Sequence, residues 1–571
     1  MIFMCAQPDS VYLRWQLEVL LFNLKRLSVA REDIHILIGY DPTRGLNPLY
    51  TRPSDPLFDS ACFYFYEDTR TNKTYEPTIR PHIIKKHFLK HPDLNNQCIF
   101  YHDADIIFRE IPDFSAMTND DCWYVSDTLT YTSADAIKKA GKIVLEEMCF
   151  VLKIPVHLVE QNSIHSGGAQ YLMKGLTYEY WDKIEYDSLK LYLHLKKNKD
   201  RYVQLFAEQT LKSKDDYDSV IEWCSDMWAV LWNAFDAGFK VKVSKELDFC
   251  WPKDELKKWH EVKIFHNAGL DKHESWEYFF KGDYINTFPF NVSLDNVRKD
   301  KCTYMYVKEI ENYKESKKID LRDVTFLIPV RIDSGDRLLN VITTTSYLFK
   351  HFKTNIILTE ADKEQKIDLK KLPPNVEYTF IYDTNRWFHR TKYNNYMVEK
   401  VKTPIIVLHD VDVIINPDQL LQAANAIRNG EAKISLPFDG CFKMCRSKTQ
   451  IDLFRKQLDV KILETEESFI AREKACGGCV MIDKATFIEC GKENESFYKW
   501  GPEDIERVRR MEIMGYKAKW IDDGHLYHLQ HEVFENSEYT SDEEYAELMK
   551  IQLNIIGMTK QELKEHILLW K

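Results

Sequence analysis

The 571-residue chain contains no run of about 18 uninterrupted apolar residues, so nothing in it reads as a membrane-spanning helix. It has no long block of Lys or Arg either. With 78 basic against 89 acidic side chains and a formal net charge of −11, nucleic acid is not expected as a partner. A leader peptide is not visible. Met1-Ile-Phe-Met-Cys-Ala6 lacks a basic beginning and a long apolar core, and reads as a first strand. No Gly-rich phosphate loop appears, which weighs against a nucleotidyltransferase. Cysteine is present, but its 13 copies are odd in number and scattered, the pattern of reduced thiols in a cytosolic protein. Cys441 and Cys445 with Cys476 and Cys479 are loosely spaced for zinc, and the second pair encloses two glycines with a better use.

What is present is an ordinary globular mixture, 44% hydrophobic and 29% charged. Aromatic residues make up 13%, which suits carbohydrate or base stacking as well as plain cores. The length is too great for one core, so two or more domains are expected. Strand-like and helix-like runs alternate: Ile2–Ala6, a helix over Val11–Leu27, a strand over Ile34–Gly39. This rhythm predicts an α/β fold, whose ligands bind at the carboxyl ends of the strands.

The chain is organised around Lys402-Thr-Pro-Ile-Ile-Val-Leu-His-Asp-Val-Asp-Val-Ile-Ile-Asn-Pro417. An apolar strand stops at Asp410-Val411-Asp412. Both carboxylates then share one face. Such a pair is costly to bury without a cation, and a divalent metal carrying a diphosphate answers that need. A single Asp-x-Asp is more often an acidic turn. Here Tyr101-His-Asp-Ala-Asp105 repeats the pattern after Gln97-Cys-Ile-Phe100.

Two further features lie in the first half. Gly167 and Gly168 enter an apolar strand and would let backbone approach a ligand, or simply form a turn. Ile264-Phe-His-Asn-Ala-Gly-Leu-Asp-Lys272 places a histidine after a strand. That histidine is more often packed or solvated, but it could complete a metal site, with Lys272 on a phosphate. These residues resemble glycosyltransferase family 8, the retaining GT-A enzymes, through Asp103-Ala-Asp105, His165-Ser-Gly167 and His266-x-x-Gly269-x-x-Lys272. The resemblance implies that Asp103, Asp105 and His266 bind the metal and Lys272 the diphosphate. By it Asp226 stands near the donor sugar.

Composition turns polar over 291–322, the expected linker between a first domain, 1–290, and a second, 323–535, with a helical tail at 536–571. In the second domain five segments follow in order. Pro329 and Arg331 close a strand. Phe388 and Arg390 lead into a helix before Asp410 and Asp412. Gly477-Gly478 comes next, then Trp500-Gly-Pro-Glu503-Asp504, and finally His525, His528 and His531. Arginines can grip a diphosphate with forked donors. Pro329 and Phe388 can form a slot for a base. Adjacent acids can bind sugar hydroxyls and take a proton, although Glu503 and Asp504 also suit a helix start.

This set resembles the animal β-1,4-galactosyltransferases and their relatives, including chondroitin-type synthases. The matching residues are Ile328-Pro-Val-Arg331, Phe388-His-Arg-Thr-Lys-Tyr-Asn-Asn395, Asp410-Val-Asp412, Gly477-Gly478 through Lys484 to Phe487, Trp500-Gly-Pro-Glu-Asp504 and His531. The resemblance implies a GT-A fold, a UDP-sugar donor of Gal or GalNAc type, Mn2+ (or Mg2+), and inversion at the anomeric carbon. It implies Arg331 and Arg390 at the nucleotide, Asp412 and His531 at the metal with His528 in place of a methionine, Asp504 as catalytic base and Glu503 at the acceptor. Pro502 replaces a glycine of that pattern, and Ile505 a third acid.

The expectation is therefore two tandem GT-A domains forming a bifunctional UDP-sugar glycosyltransferase. The first domain would be retaining by its resemblance, and the acceptor a growing glycan or glycolipid. The protein is expected to be cytoplasmic, or peripheral to the inner membrane face. A single active domain joined to a glycan-binding module, or a nucleotidyltransferase, are the alternatives.

Overall fold

The computed structural model describes residues 1–51, 55–210, 213–465, 468–472, 474–498, 501–532 and 541–570. The chain divides into two compact units, Met1–Ser316 and Lys317–Lys571.

The first unit is built on a seven-stranded sheet. Its strands are β1 (Ile2–Pro8), β2 (Ile34–Tyr40), β3 (Cys62–Glu67), β4 (Ile99–Tyr101), β6 (Cys122–Asp127), β7 (Gly167–Met173) and β8 (Lys240–Val243), in the order β3-β2-β1-β4-β7-β6-β8. β1 pairs in parallel with β2 and β4, and β7 runs antiparallel to β4 and β6. Side chains alternate across β1 because the strand period is two. Phe3 and Cys5 join a core with Leu17, Leu20 and Leu24 of the helix Val11–Arg26. Met4 and Ala6 join the opposite core, with residues of the helices Ile79–Lys90, Tyr178–Thr210 and Ser225–Asp236. Burial on both faces explains why the strand is apolar from Ile2 to Ala6. A small second sheet joins β5 (Ile106–Phe108), β10 (Ile264–His266) and β9 (Phe249–Cys250).

The second unit repeats this plan. Its seven strands are β11 (Ile319–Val330), β12 (Phe352–Asp362), β13 (Val376–Tyr382), β14 (Ile405–His409), β16 (Ile434–Leu436), β19 (Cys479–Asp483) and β20 (Ala518–Trp520). The order β13-β12-β11-β14-β19-β16-β20 matches the first unit strand for strand. A smaller sheet has the order β15-β21-β17-β18, formed by β15 (Val413–Ile415), β21 (Leu526–Leu529), β17 (Phe442–Cys445) and β18 (Ser468–Arg472). Each unit is thus a mixed α/β sheet flanked by helices, the tandem GT-A, Rossmann-like class expected from the sequence.

The stretch expected as a linker holds regular structure. Thr303–Ser316 is a helix, and β11 begins at Ile319. Between its charges, Tyr306, Val307, Ile310 and Tyr313 recur at helical spacing and are buried in the first unit. Glu309 meets Arg26 at 2.9 Å. Near the C-terminus, Asp542–Ile556 and Lys560–Ile567 are helices, and Ile555 and Leu563 join the core of the second unit. The boundary expected at 535 lies outside the described residues. Among the described residues no helix is long and apolar enough to cross a membrane.

Candidate functional site

In the second unit β14 ends at His409, and Asp410 and Asp412 follow at its carboxyl end. Asp410 N–H donates to the Gly478 carbonyl at 2.8 Å, which fixes the turn against the strand from the paired glycines. His409 donates from Nδ1 to the Asp410 carbonyl at 2.7 Å, and burial pushes its imidazole down to about 4, so it stays neutral.

Asp412 is buried and meets two imidazoles. His531 Nε2 lies 3.1 Å from one carboxylate oxygen and His528 Nε2 3.5 Å from the other. β15 and β21 run antiparallel with His528 opposite Val413, so sheet register brings the imidazole beside Asp412. Burial alone would raise the Asp412 pKa, but His528, His531 and Arg337 together hold it below the usual range. Ligand atoms of Asp412, His528 and His531 all lie within 4.8 Å of one another. Two nitrogens and a buried carboxylate fit a divalent transition ion such as Mn2+ better than Mg2+, which prefers an all-oxygen octahedron.

The acids opposite open the helix Glu503–Met514, ended by Gly515 in a left-handed conformation at φ 106°. Arg390, the first residue of the helix Arg390–Val398, joins them to the Asp-x-Asp turn. Its guanidinium donates to Asp410 at 2.6 Å and to Glu503 and Asp504 at 2.8 Å each. Arg507 also donates to Asp504, at 2.9 Å, and to the buried Glu493. Burial raises both acids, but Arg390 and Arg507 overcome it at Asp504 and hold its carboxyl below the ordinary range. Glu503 is pushed up to about 8 by burial and by the charge of Asp504. The surroundings thus push the two neighbours apart, burial favouring the neutral form of Glu503 and the two arginines the ionised form of Asp504. Burial, with the charges of Asp412 and Asp504, pushes Asp410 up to about 6.

Gly477 needs its missing side chain, since a Cβ there would overlap Asp504 Oδ2. Gly478 has φ 84°, a conformation suited to glycine. Pro329, Arg390, Asp410, Gly478, Asp504 and Arg507 line one narrow cavity. Arg331 is turned to structural work. It binds Asp383 at 2.7 Å and the carbonyls of Ala361, Asn385 and Arg386, and lies 5.6 Å over the Phe388 ring. It thus shapes the 383–388 loop. Trp500 lies outside the described residues.

The first unit repeats the arrangement. Arg80, in the helix Ile79–Lys90, donates to Asp103 at 2.6 Å and to Asp226 at 2.5 Å. Asp226 is the second residue of the helix Ser225–Asp236. His102 donates to the Asp103 carbonyl at 2.9 Å, and burial pushes it down to about 4. β5 and β10 run antiparallel with His266 opposite Ile106, and His266 Nε2 lies 3.3 Å from Asp105 and 3.8 Å from Asp103. Ligand atoms of Asp103, Asp105 and His266 lie within 4.8 Å of one another. His266 Nδ1 and both amide atoms of Asn267 are buried without a hydrogen-bond partner among the described residues. Two carboxylates, an imidazole and these orphaned polar atoms fit a divalent ion with its attached groups.

Lys281, not Lys272, reaches the carboxylates, with Nζ on Asp105. Lys272 is exposed on a short turn. Against burial, Lys281 and His266 hold Asp105 below the usual range. A Cβ on Gly167 would overlap the Ser126 carbonyl, and one on Gly168 would strike Met227 and Tyr171. Arg80, Lys281, Arg337 and Arg507 carry no motif signal. Arg80, Lys281 and Arg337 lie far along the chain from the carboxylates they meet, and only the fold reveals them, whereas Arg507 sits one helical turn from Asp504. Among the described residues the cysteine that joins a metal-type cluster is Cys441, with Asp439 and His525.

A family model described as the N-terminal domain of galactosyltransferase matches residues 466–532, the segment that carries Gly477, Gly478, Glu503, Asp504, His528 and His531. No curated protein matches the chain. Among solved structures, the mannosyltransferase PcManGT from Pyrobaculum calidifontis, in complex with GDP-Man and Mn2+, is 13% identical over 36% of this chain and 56% of its own, with a TM-score of 0.25. TarS 1–349 of S. aureus, in complex with UDP-GlcNAc, is 15% identical over 43% of this chain and 70% of its own, at 0.27. The catalytic domain of Drosophila β1,4-galactosyltransferase 7, in complex with xylobiose, is 13% identical over 42% of this chain and 82% of its own, at 0.24. Similarity at these levels decides nothing about activity.

Proposed function

We propose that the chain is a metal-dependent glycosyltransferase that uses nucleotide-sugar donors, with a transfer site in each unit. The observation that carries this reading is the repeated triangle of an Asp-x-Asp turn, an imidazole from an antiparallel strand, and an acid at a helix start held by arginine. Such a site can hold a diphosphate on one side and a hydroxyl nucleophile on the other.

In the second unit Asp412, His528 and His531 would hold Mn2+ and thereby the donor diphosphate. The bound ion would stabilise the charge that develops on the leaving group. Pro329, Phe388 and the Arg331-ordered loop would form the nucleotide wall. Gly477-Gly478 would let the sugar approach the backbone. Asp504, kept ionised by Arg390 and Arg507, would take the proton from an acceptor hydroxyl. Glu503, protonated at neutral pH, would donate a hydrogen bond to that acceptor or to the sugar. The donor would be a UDP-hexose of Gal or GalNAc type, the outcome inversion, and the acceptor a growing glycan or glycolipid. Two sites on one chain would keep the intermediate near its second step. Residues 1–290, 323–535 and 536–571 would serve as first transferase domain, second transferase domain and C-terminal brace, in a cytoplasmic protein or one peripheral to the inner membrane face.

The test is turnover of UDP-galactose, UDP-GalNAc, UDP-glucose and UDP-GlcNAc by the full chain, with and without Mn2+. The proposal expects Mn2+-dependent release of UDP, abolished for one donor by Asp412→Ala. Release of pyrophosphate instead, or turnover indifferent to metal, would refute it.

A further inference from the structure

The first unit has the same strand order as the second, and corresponding residues can be counted along the paired strands. Antiparallel pairing sets Tyr101 opposite Tyr171 and His409 opposite Cys479. Asp410 lies one residue past that ladder and donates its N–H to the Gly478 carbonyl at 2.8 Å, and counting two residues past the ladder in the first unit aligns Asp103 with Ala169. Ala169 and Gly478 both have positive φ, 67° and 84°. An alanine held there is strained, and the unit keeps it all the same. Gly168 then corresponds to Gly477. The side chain that crowds Gly477 is Asp504, and one that crowds Gly168 is Met227, next to Asp226.

The helices agree as well. Ser225–Asp236 precedes β8, and Glu503–Met514 precedes β20, the equivalent edge strand. Asp226 and Asp504 are each the second residue of their helix. Arg80 lies 23 positions before Asp103 and Arg390 lies 20 before Asp410, and each arginine ties its Asp-x-Asp turn to its helix acid. In place of Arg507, Tyr75 O–H donates to Asp226 at 2.9 Å.

Two observations independent of the carboxylates point to a ligand. Tyr171 is buried, its hydroxyl has no partner among the described residues, and it lies against Gly168. Trp223, three residues before Asp226, leaves 57% of its surface exposed while its ring meets Tyr75 edge-on. An exposed indole packed on the tyrosine that donates to the Asp226 carboxylate offers a sugar a stacking face.

We infer that the first unit is itself an inverting transfer site, in which Asp226 is the general base. This rests on the glycosyltransferase reading above and replaces the retention that the family 8 resemblance implies. The acceptor hydroxyl gives its proton to the Asp226 carboxylate. Its oxygen forms a bond to the anomeric carbon as the bond from that carbon to the diphosphate oxygen breaks, and the electron pair leaves with the nucleoside diphosphate. One displacement inverts the centre. No second carboxylate occupies the position of Glu503, where this unit has Ser225.

The experiment uses the full chain carrying Asp412→Ala and Asp504→Asn, which silence the second site. UDP-α-galactose, UDP-α-GalNAc, UDP-α-glucose and UDP-α-GlcNAc are each hydrolysed with Mn2+, and proton NMR records the first-formed anomer of the free sugar. The inference expects the β-anomer. It further expects Asp226→Asn to slow hydrolysis about 10²–10⁴-fold, while calorimetry shows Mn2+-dependent UDP binding unchanged. The α-anomer first, or full hydrolysis by Asp226→Asn, would overturn the inference and leave the glycosyltransferase reading standing. Neither UDP binding nor hydrolysis by a folded chain would overturn both for this unit. The anomer is read on a chain unaltered at 226, so a misfolded Asp226 variant cannot mask the result.

Discussion

The Arg390 guanidinium donates to Asp504 at 2.8 Å while its other arm holds Asp410 at 2.6 Å. One cation thus joins the two ends of the second site, and with Arg507 it keeps Asp504 ionised against the cost of burial.

If Asp504 is the base, Asp504→Asn keeps the shape and removes the proton acceptor. The expected result is a fall in kcat of about 10²–10⁴-fold with the donor KM nearly unchanged. Steady-state kinetics with UDP-galactose or UDP-GalNAc reads this directly. A matching rise in donor KM would mean that the residue binds rather than reacts.

Gly477→Ala should damage the site without touching a polar group. The added Cβ overlaps Asp504 Oδ2, so the carboxylate must shift. Loss of most transfer activity is expected, with UDP affinity kept, since the wall proposed for the nucleotide is formed by other residues. Activity equal to wild type would show that Asp504 is not where the base is needed.

Glu503 sets a pH dependence of stability. Its pKa in the fold is about 8 against 4.5 for an ordinary glutamate, so the folded state holds a proton that the unfolded chain has lost. Stability from this group is complete below about pH 4.5 and is lost as pH rises toward 8. The facing charges are Arg390, Asp504 and Arg507. Thermal melts from pH 5 to 9 should therefore fall less steeply for Glu503→Gln than for wild type. A parallel pair of curves would contradict the assignment.

The helix that carries both acids is anchored by a fully buried pair, Arg510 and Glu506, 2.6 Å apart. Arg510 also donates to the carbonyls of Cys490 and Lys492. Arg510→Ala leaves an unpaired buried carboxylate, and a loss of about 3–5 kcal/mol is expected. Urea unfolding checks it. A loss under about 1 kcal/mol would mean that water reaches the pair.

The fold was legible because both faces of the central strands are buried, which writes continuous apolar runs such as Ile405–Leu408 into the sequence. Asp103, Asp105 and His266 could be singled out because the carboxylates are local to a strand end and the histidine ends another strand. The structure brings them together through antiparallel register. Arg80 and Lys281 could not be found that way. A solitary cation on a helix or loop has no period or spacing, and its partner is fixed only by packing. The helix Thr303–Ser316 was hidden for a related reason. Its charges look like a linker until Tyr306, Ile310 and Tyr313 are seen to share one face.

Two metal sites, one in each unit, are the central expectation. Manganese titration of the full chain, followed by electron paramagnetic resonance in the presence of UDP, should count two sites. Asp103→Ala should remove one and Asp412→Ala the other, each leaving its neighbour intact. A chain that binds no Mn2+ in the presence of UDP, or whose binding ignores both substitutions, would contradict it.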